Sequence, residues 1–496
     1  MTLPHGFVVT LDRTTRVLDS GRTLLGGHPT RLLRLGPRAV PLLTGRTLRV
    51  RCAAGAVLAE RLLDTGLAQP SVRDLPPLPG PGGSGPACSY VVPVRDRPYE
   101  LDRLLASIRP PAGTPVIVVD DASRSPGPVA AVAARHEARL IALTTNLGPA
   151  GARNAGLREV ATPYVAFVDS DVVLAPGTVP TLLRHFTDPE VALAAPRITA
   201  LATADSGRWL GRYESVRSSL DLGGHPAAVR PGTPVSWVPG ACVVARTDVL
   251  RSLGGFDAGM RVGEDVDLCW RVVRAGHRVR YEPAAQAAHE HRVNHVDWFR
   301  RKAFYGTGAH PLAERHPEHM APAVLAPWCA ALLLALLAQR RWSLPVAGSI
   351  AIGVTARNVE KLKGVERPVR HAVRLTGLGT LAALGQGAAL LTRHWWPLTA
   401  VGCLASRRVR RAAAVAAVTD VALELPGRRY AAARPRPVAY GIARRLDDLA
   451  YGSGVWISAL RGRSTAALRP RVAYRNGVRR LLPRRRGPRR LRRGAA

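Results

Sequence analysis

The sequence predicts an α/β domain on a parallel sheet covered by helices on both faces, with a small module before it and an apolar helical region after it. Three observations carry this. Between residues 88 and 171, short runs rich in Val and Ile alternate with helix-like stretches, which is how strands buried on both faces read. A Pro/Gly-dense segment, LPPLPGPGGSGPA at 75–87, sets off what precedes it. From about 321, long apolar segments divided by basic clusters replace the alternation. A chain of 496 residues is also too long for one ordinary core.

The N-terminal module covers 1–74. FVVTL (7–11) and RTLRVRC (46–52) have the look of short strands. AVLAERLLDTG (56–66) spaces Val57, Leu58, Leu62 and Leu63 as a helix does, and Gly66 suits its C-cap. The pattern resembles a small winged-helix or peptide-recognition module. The segment 75–87 is a linker, because Pro and Gly at this density form neither helix nor central strand. In the domain at 88–320 the predicted strands are 88–94, 115–121, 138–145 and 163–171, with helices at 100–108, 128–136 and 151–160.

Residues 321–426 hold apolar segments at 321–338, 344–356, 375–391 and 412–425, separated by QRR, KLK and RRVRR clusters. A spanning helix needs about 20 apolar residues. The first and third segments come near that length, so membrane association is expected, with one or two spans and the basic clusters and active site on the cytoplasmic side. Residues 427–496 form a basic tail with 20 Arg against Asp447 and Asp448, half of the chain's net charge of +36. Such a tail attracts phosphates, and lipid headgroups fit better than a specific nucleic acid. Every residue singled out for chemistry lies before 320, so a chain ending there is expected to be soluble and to keep nucleotide binding.

Composition excludes several classes. At 47% hydrophobic residues the chain is not disordered. Six scattered cysteines without a C-x-x-C pair speak against a zinc ribbon or a disulfide scaffold. The start has no apolar run of a secretory signal.

Ligands of such sheets bind beyond the carboxyl ends of the strands, and polar residues collect there: Arg95 and Asp96, Asp120 and Asp121, Asn146, then Asp169 and Asp171. Two carboxylates at i and i+2 on a strand end can hold a hard divalent cation, which assists a diphosphate leaving group. NLGPAGARNAG (146–156) leads into a helix whose amides, with Arg153, suit an anionic phosphate. GEDVDL (263–268) crowds Glu264, Asp265 and Asp267 at a helix start. That is also where the helix dipole favours acids, but crowding raises a proton affinity and suits a general base. His289 in AHEHR reads either as a metal ligand or as a core histidine.

VVPVRDR, VVDDAS, NLGPAGARNAG, FVDSD, WVPGACVVAR, LGGFD and GEDVDLCWR occur in that order over roughly 87–300. The set resembles the family-2 inverting glycosyltransferases, whose Rossmann-like fold is GT-A, the nucleotide-diphospho-sugar transferase fold. The order of N-module, transferase and apolar C-terminal region resembles the glycosyltransferase family of the mycofactocin system, which decorates a peptide-derived redox cofactor with glucose from UDP-glucose. The resemblance implies Asp265 as general base. It implies Pro93, Val94, Asp120 or Asp121, Arg153, Asp169 and Ser170 on the nucleotide sugar. Asp169, Asp171 and His289 would hold Mg²⁺ or Mn²⁺, and Trp237, Gly240 and Glu264 would meet the acceptor, peptide-derived or lipid-linked. The first strand ends Pro93-Val94-Arg95-Asp96 where the family has P-x-Y-N. The Q-x-x-R-W signature of polymer synthases is missing, although Trp298 and Arg300-Arg301-Lys302 lie nearby. Alternatives are a cell-envelope acceptor, a nucleotidyltransferase, which PVRDRPYE fits poorly for want of glycine, and a non-catalytic membrane or nucleic-acid binder, which the acidic strand ends disfavour.

Overall fold

A computed structural model describes residues 2–76, 78, 87–109, 113–203, 207–291, 294–428 and 436–473. Most of the linker at 75–87 and the end of the basic tail from 474 lie outside the described residues.

The N-terminal module has strands β1 (Val8–Leu11), β2 (Arg16–Leu18), β3 (Thr23–Gly26), β4 (Arg31–Arg34), β5 (Thr47–Arg49) and β6 (Ala68–Pro70), with helix α1 (Ala53–Thr65). They form two three-stranded antiparallel sheets, ordered β5-β1-β6 and β2-β3-β4. Leu58, Leu62 and Leu63 of α1 share a core with Phe7, Val9 and Leu48, and Gly66 caps the helix in the left-handed region, as its position predicts. One helix on two small sheets does not confirm the winged-helix likeness. Asp64 ties the module to the next domain through Arg278, 2.8 Å away.

The central sheet has nine strands: β7 (Cys88–Val94), β8 (Val116–Asp120), β9 (Arg139–Ala142), β10 (Tyr164–Val168), β11 (Val172–Leu174), β12 (Val191–Ala200), β13 (Ala227–Val229), β14 (Cys242–Arg246) and β15 (Arg278–His289). Their order is β11-β15-β12-β14-β10-β7-β8-β9, with β13 beside β15. The half made of β10, β7, β8 and β9 is parallel. It joins the other half through β14, which runs antiparallel to both β10 and β12. The sheet is therefore mixed where the sequence predicts a parallel one. Alternate residues face two cores: Val91, Val119, Val165 and Phe167 on one side, Val92, Val118 and Ala166 on the other. The flanking helices are α2 (Pro98–Ser107), α3 (Pro126–Arg135), α4 (Gly148–Glu159), α5 (Thr178–Leu183), α6 (Trp209–Arg217), α7 (Thr247–Ser252), α8 (Glu264–Arg274), α9 (His295–Thr307) and α10 (Ala309–Arg315).

The C-terminal region is helical: α11 (Pro327–Ala338), α12 (Ser343–Lys361), α13 (Pro368–Ala389), α14 (Trp396–Ala405), α15 (Arg407–Arg428) and α16 (Pro437–Arg461). Much of the segment read as a basic tail is therefore α16, whose Tyr440, Arg444, Asp447, Asp448 and Val455 are buried. It crosses α9 at glycines: a Cβ on Gly454 would overlap the Ala303 carbonyl, and one on Gly306 that of Tyr451. Buried charges span the same seam. Lys302 of α9 lies 2.9 Å from Glu214 of α6 and 3.8 Å from Asp447 of α16. Tyr213 donates to Asp447 at 2.9 Å, and Trp298 to Glu214 at 2.7 Å. Arg217 of α6 pairs with Glu424 of α15 at 2.9 Å.

Candidate active site

The strand ends come together as the sequence predicts, but several of their side chains are committed to one another. Asp121 accepts from the backbone amides of Leu147 and Gly148, at 2.7 and 2.9 Å. Both its oxygens thus hold the loop that opens α4. Asp120, also buried, receives Ser123 N–H and O–H on one oxygen, at 3.0 and 2.5 Å, and its other oxygen takes no hydrogen bond among the described residues. It is the better placed of the two to meet a ligand's N–H. Pro93 and Val94 end the neighbouring strand, and Val94 pairs with Asp120 in register.

Arg153 is the centre of the arrangement. It sits in α4, is 2% exposed, and donates in three directions: to Asp169 at 2.6 Å, to Glu264 at 2.9 Å and to the Gly240 carbonyl at 3.3 Å. The backbone of Gly240 lies against the guanidinium, since a Cβ there would come within 3.2 Å of it. Arg153 therefore locks the strand-end acids to the helix-start acids. Glu264, expected to face the acceptor, is bonded to Arg153.

Asp265 is next to this lock at the first turn of α8. Its oxygens accept from Gly240 N–H at 3.0 Å and Val266 N–H at 2.8 Å. Burial, with the Glu264 charge adding to it, raises its carboxyl pKa to about 7. A carboxylate poised there can take a proton near neutral pH. Asp169 is likewise held above the usual carboxylate range by burial, against the pull of Arg153. Asp267, fully buried, faces the other way: Arg271 and His316 hold it at 2.6 and 2.9 Å.

Asp171 lies on the far side of Asp169. Its Oδ1 is 3.5 Å from His289 Nε2, and its Oδ2 accepts from Arg97. Burial would push its proton affinity up, but the His289 contact and the Arg97 charge hold it well below the carboxylate range. The β11–β15 pairing brings these residues together, with Val172 opposite His289. Among the described residues no three metal-ligating side chains cluster. One carboxylate and an imidazole at 3.5 Å, with Asp169 two residues away, still suit a hard divalent cation. Such ions commonly take one or two protein ligands and complete their shell with substrate phosphate and water. Among the described residues, the buried His289 Nδ1 has no hydrogen-bond partner. Ser170 is buried between the two acids.

Trp237 is partly buried against the core beneath the sheet. Sequence reasoning missed Arg97, because it singled out Arg95 and Asp96. Asp96 in fact holds Arg124 at 2.8 Å through its backbone amide. It also missed a cavity of about 450 Å³ that runs from Asp171 and His289 to α9.

Residues 89–250 match the model of the family described as glycosyl transferase family 2. The chain is 43% identical over 477 residues to the pre-mycofactocin glycosyltransferase of Mycobacterium tuberculosis, covering 95% of this chain and 98% of that one. It is 30% identical over 224 residues to the N-acetylglucosaminyl-diphospho-decaprenol L-rhamnosyltransferase of the same organism, covering 38% of this chain and 71% of the relative. A solved mannosyltransferase from Pyrobaculum calidifontis, in complex with GDP-Man and Mn²⁺, aligns at 20% identity over 62% of this chain and 88% of that one. Its TM-score is 0.37, too low to carry a structural argument.

Proposed function

Because the chain belongs to the pre-mycofactocin glycosyltransferases within glycosyltransferase family 2, we propose that it transfers glucose from UDP-glucose, with inversion, to a peptide-derived mycofactocin precursor. The observation that carries this is Arg153 bridging Asp169 and Glu264 beside an Asp265 whose pKa is about 7. Two acidic motifs that serve donor and acceptor are thereby held in one rigid piece.

In this reading the uracil N–H meets the open oxygen of Asp120, and Pro93, Val94 and Ser170 line the nucleotide. Asp265 takes the proton of the acceptor hydroxyl as its oxygen attacks the anomeric carbon. A single displacement from the face opposite the diphosphate inverts that centre. Trp237 and Gly240 lie on the acceptor side. Asp169, Asp171 and His289 would hold Mg²⁺ or Mn²⁺, which supplies positive charge to the diphosphate.

The test is incubation with UDP-glucose and the precursor peptide, with products read by mass spectrometry and proton NMR. The expected product gains one or more hexoses, with a β linkage from the α donor. Transfer with retention, or no transfer from UDP-glucose, overturns the reading. EDTA should abolish transfer, Mn²⁺ or Mg²⁺ should restore it, and Asp171→Ala should not be rescued by added metal. Full activity in EDTA means the acids serve only the protein.

Membrane association is part of the proposal. Pro368–His394, which includes α13, is the one helix among the described residues long and apolar enough to cross a membrane, with mean hydropathy 1.3. The segment at 321–338 yields only the 12-residue α11. Leu344 and Ile352 of α12 and Leu404 of α14 are among the large apolar residues left exposed on the neighbouring helices, and an apolar surface of that kind marks a lipid or protein contact. A 1 M salt wash, which shortens screening to about 3 Å, should leave the protein in the membrane fraction. Recovery in the soluble fraction at low salt removes this part of the proposal.

A further inference from the structure

A helix crosses a membrane only if its two ends can lie on opposite sides. Pro368–His394 has the length, since its 27 residues rising about 1.5 Å each reach about 40 Å, and the hydrocarbon core is about 30 Å thick. Nor is it a core helix, because only 22% of its apolar stretch is buried. Yet both of its ends are tied to the same water-facing body. At the leading end, Leu362, Val365 and Ala372 pack with Leu18 and Leu32 of the N-terminal module. Asp19 accepts from the Glu366 amide at 2.8 Å, and Arg34 donates to the Lys363 carbonyl at 3.3 Å. The module is held in turn to the central domain, where Arg278 binds the Asp64 carboxylate at 2.8 Å and Arg230 its carbonyl at 2.5 Å. At the trailing end the anchor is α16. Trp456 donates to the His394 carbonyl at 2.8 Å, Thr392 donates to Asp448 at 3.3 Å, and a Cβ on Gly452 would overlap the Arg393 carbonyl. Val455 and Ala459 of α16 pack with Ala309 and Ala313 of α10. A crossing would have to tear one end from its partners or draw a charged domain through the bilayer.

The neighbouring helices show what this region faces instead. α12 exposes Leu344 and Ile352, α13 exposes Val373 and Leu378, and α14 exposes Leu398 and Leu404. On α12 the exposed Leu344, Gly348, Ile352 and Ala356 recur every four residues, which is one stripe of a helix. Among the described residues α14 buries none of its side chains. Basic residues are interspersed with the apolar ones. Residues 368–419 hold seven arginines and no Asp or Glu, and Arg370, Arg374, Arg407, Arg408 and Arg411 are exposed. Apolar side chains among arginines suit the boundary between acyl chains and anionic headgroups. A second copy fits worse, because a two-fold contact sets a patch against itself and brings arginines onto arginines.

Resting on the membrane reading above, we propose that the C-terminal region is monotopic. Helices α12 to α15 lie in the interface of one anionic leaflet, and none of them crosses it. The N-terminal module, the catalytic domain and α16 stay on a single side. The apolar length of Pro368–His394 then bridges its two anchors along the leaflet.

The test introduces Lys363→Cys or Arg407→Cys, one ahead of α13 and one beyond it, into the full chain carrying Cys52→Ser and Cys403→Ser. The other four cysteines are buried. A membrane-impermeant maleimide, applied to intact spheroplasts and to inside-out vesicles, should reach both positions from the same side. Labelling of the two positions from opposite sides means that the helix crosses, and it overturns this inference while membrane attachment stands. Flotation gives the second readout. The purified full chain should bind preformed vesicles of equal phosphatidylglycerol and phosphatidylcholine at least about tenfold more tightly than pure phosphatidylcholine. Leu398→Glu with Leu404→Glu should weaken that binding by more than about tenfold, since two leucines leave the acyl region. The melting temperature should hold, because neither side chain is buried. Arg407→Gln with Arg408→Gln and Arg411→Gln should narrow the preference for the anionic vesicle. Vesicle binding that ignores both sets of substitutions overturns the assignment of this face. A soluble chain that binds neither vesicle overturns the membrane reading and this inference with it, and a dimer in that case gives the face to a second copy.

Discussion

Asp265→Asn should lower turnover by about 10²–10⁴-fold while leaving UDP affinity near wild type. The amide keeps the shape of the side chain and cannot take the acceptor's proton. Donor binding survives because Asp120 and Asp171 are untouched. The pH dependence is a second readout. Burial and Glu264 raise the Asp265 pKa to about 7, so the base is protonated below that pH. Wild-type turnover should fall about tenfold per pH unit below 7 and level off above it. The sign for stability is the opposite. The folded state holds the proton up to about pH 7, and an unfolded aspartate releases it near 3.8. Wild-type stability therefore declines from about pH 4 to about pH 7 through this group, and the variant should lose that decline. Turnover within a few-fold of wild type in Asp265→Asn means that another group takes the proton.

The parallel half of the sheet was legible because its four strands are short, apolar and separated by helical stretches. The expected strands at 88–94, 115–121, 138–145 and 163–171 lie on β7, β8, β9 and β10 within a few residues. The other half was not legible. β12, β14 and β15 read as VALAAPRITA, CVVAR and RVRYEPAAQAAH, and nothing local says that β14 runs antiparallel to β10 or that β15 carries His289 back to Asp171. The acids of the site stood out by type and position. Their partners did not, because a contact such as Arg153 with Glu264 joins residues 111 apart. The C-terminal helix α16 was hidden by composition. Its arginines look like a solvated tail until Arg444 is seen against Asp420 at 3.1 Å and also bonded to Asp448.

A chain ending at residue 320 should not fold to a stable nucleotide-binding domain, contrary to what the distribution of site residues suggests. Removing α15 and α16 takes Asp447 from Lys302 and Tyr213, and Glu424 from Arg217. Lys302, Tyr213 and Trp298 are each 5% exposed or less in the full chain. Breaking a buried ion pair costs about 3–5 kcal/mol, and a whole domain has only about 5–15 kcal/mol to lose. The damage also reaches the proposed donor site, because α9 walls the cavity beside Asp171. Two single substitutions separate this seam from the mere presence of a C-terminal region. In Gly454→Val the new side chain meets the Ala303 backbone, so α9 and α16 must part. Overpacking of this kind costs about 1–3 kcal/mol, and both the melting temperature and UDP affinity should fall. In Gly441→Ala the Cβ meets only a Val421 methyl at 3.9 Å, so the helix gains about 1 kcal/mol of intrinsic stability and UDP affinity is unchanged. A 1–320 chain that is soluble and binds UDP as the full protein does, together with a Gly454→Val variant that melts like wild type, would make the C-terminal helices an appendage to a self-sufficient domain.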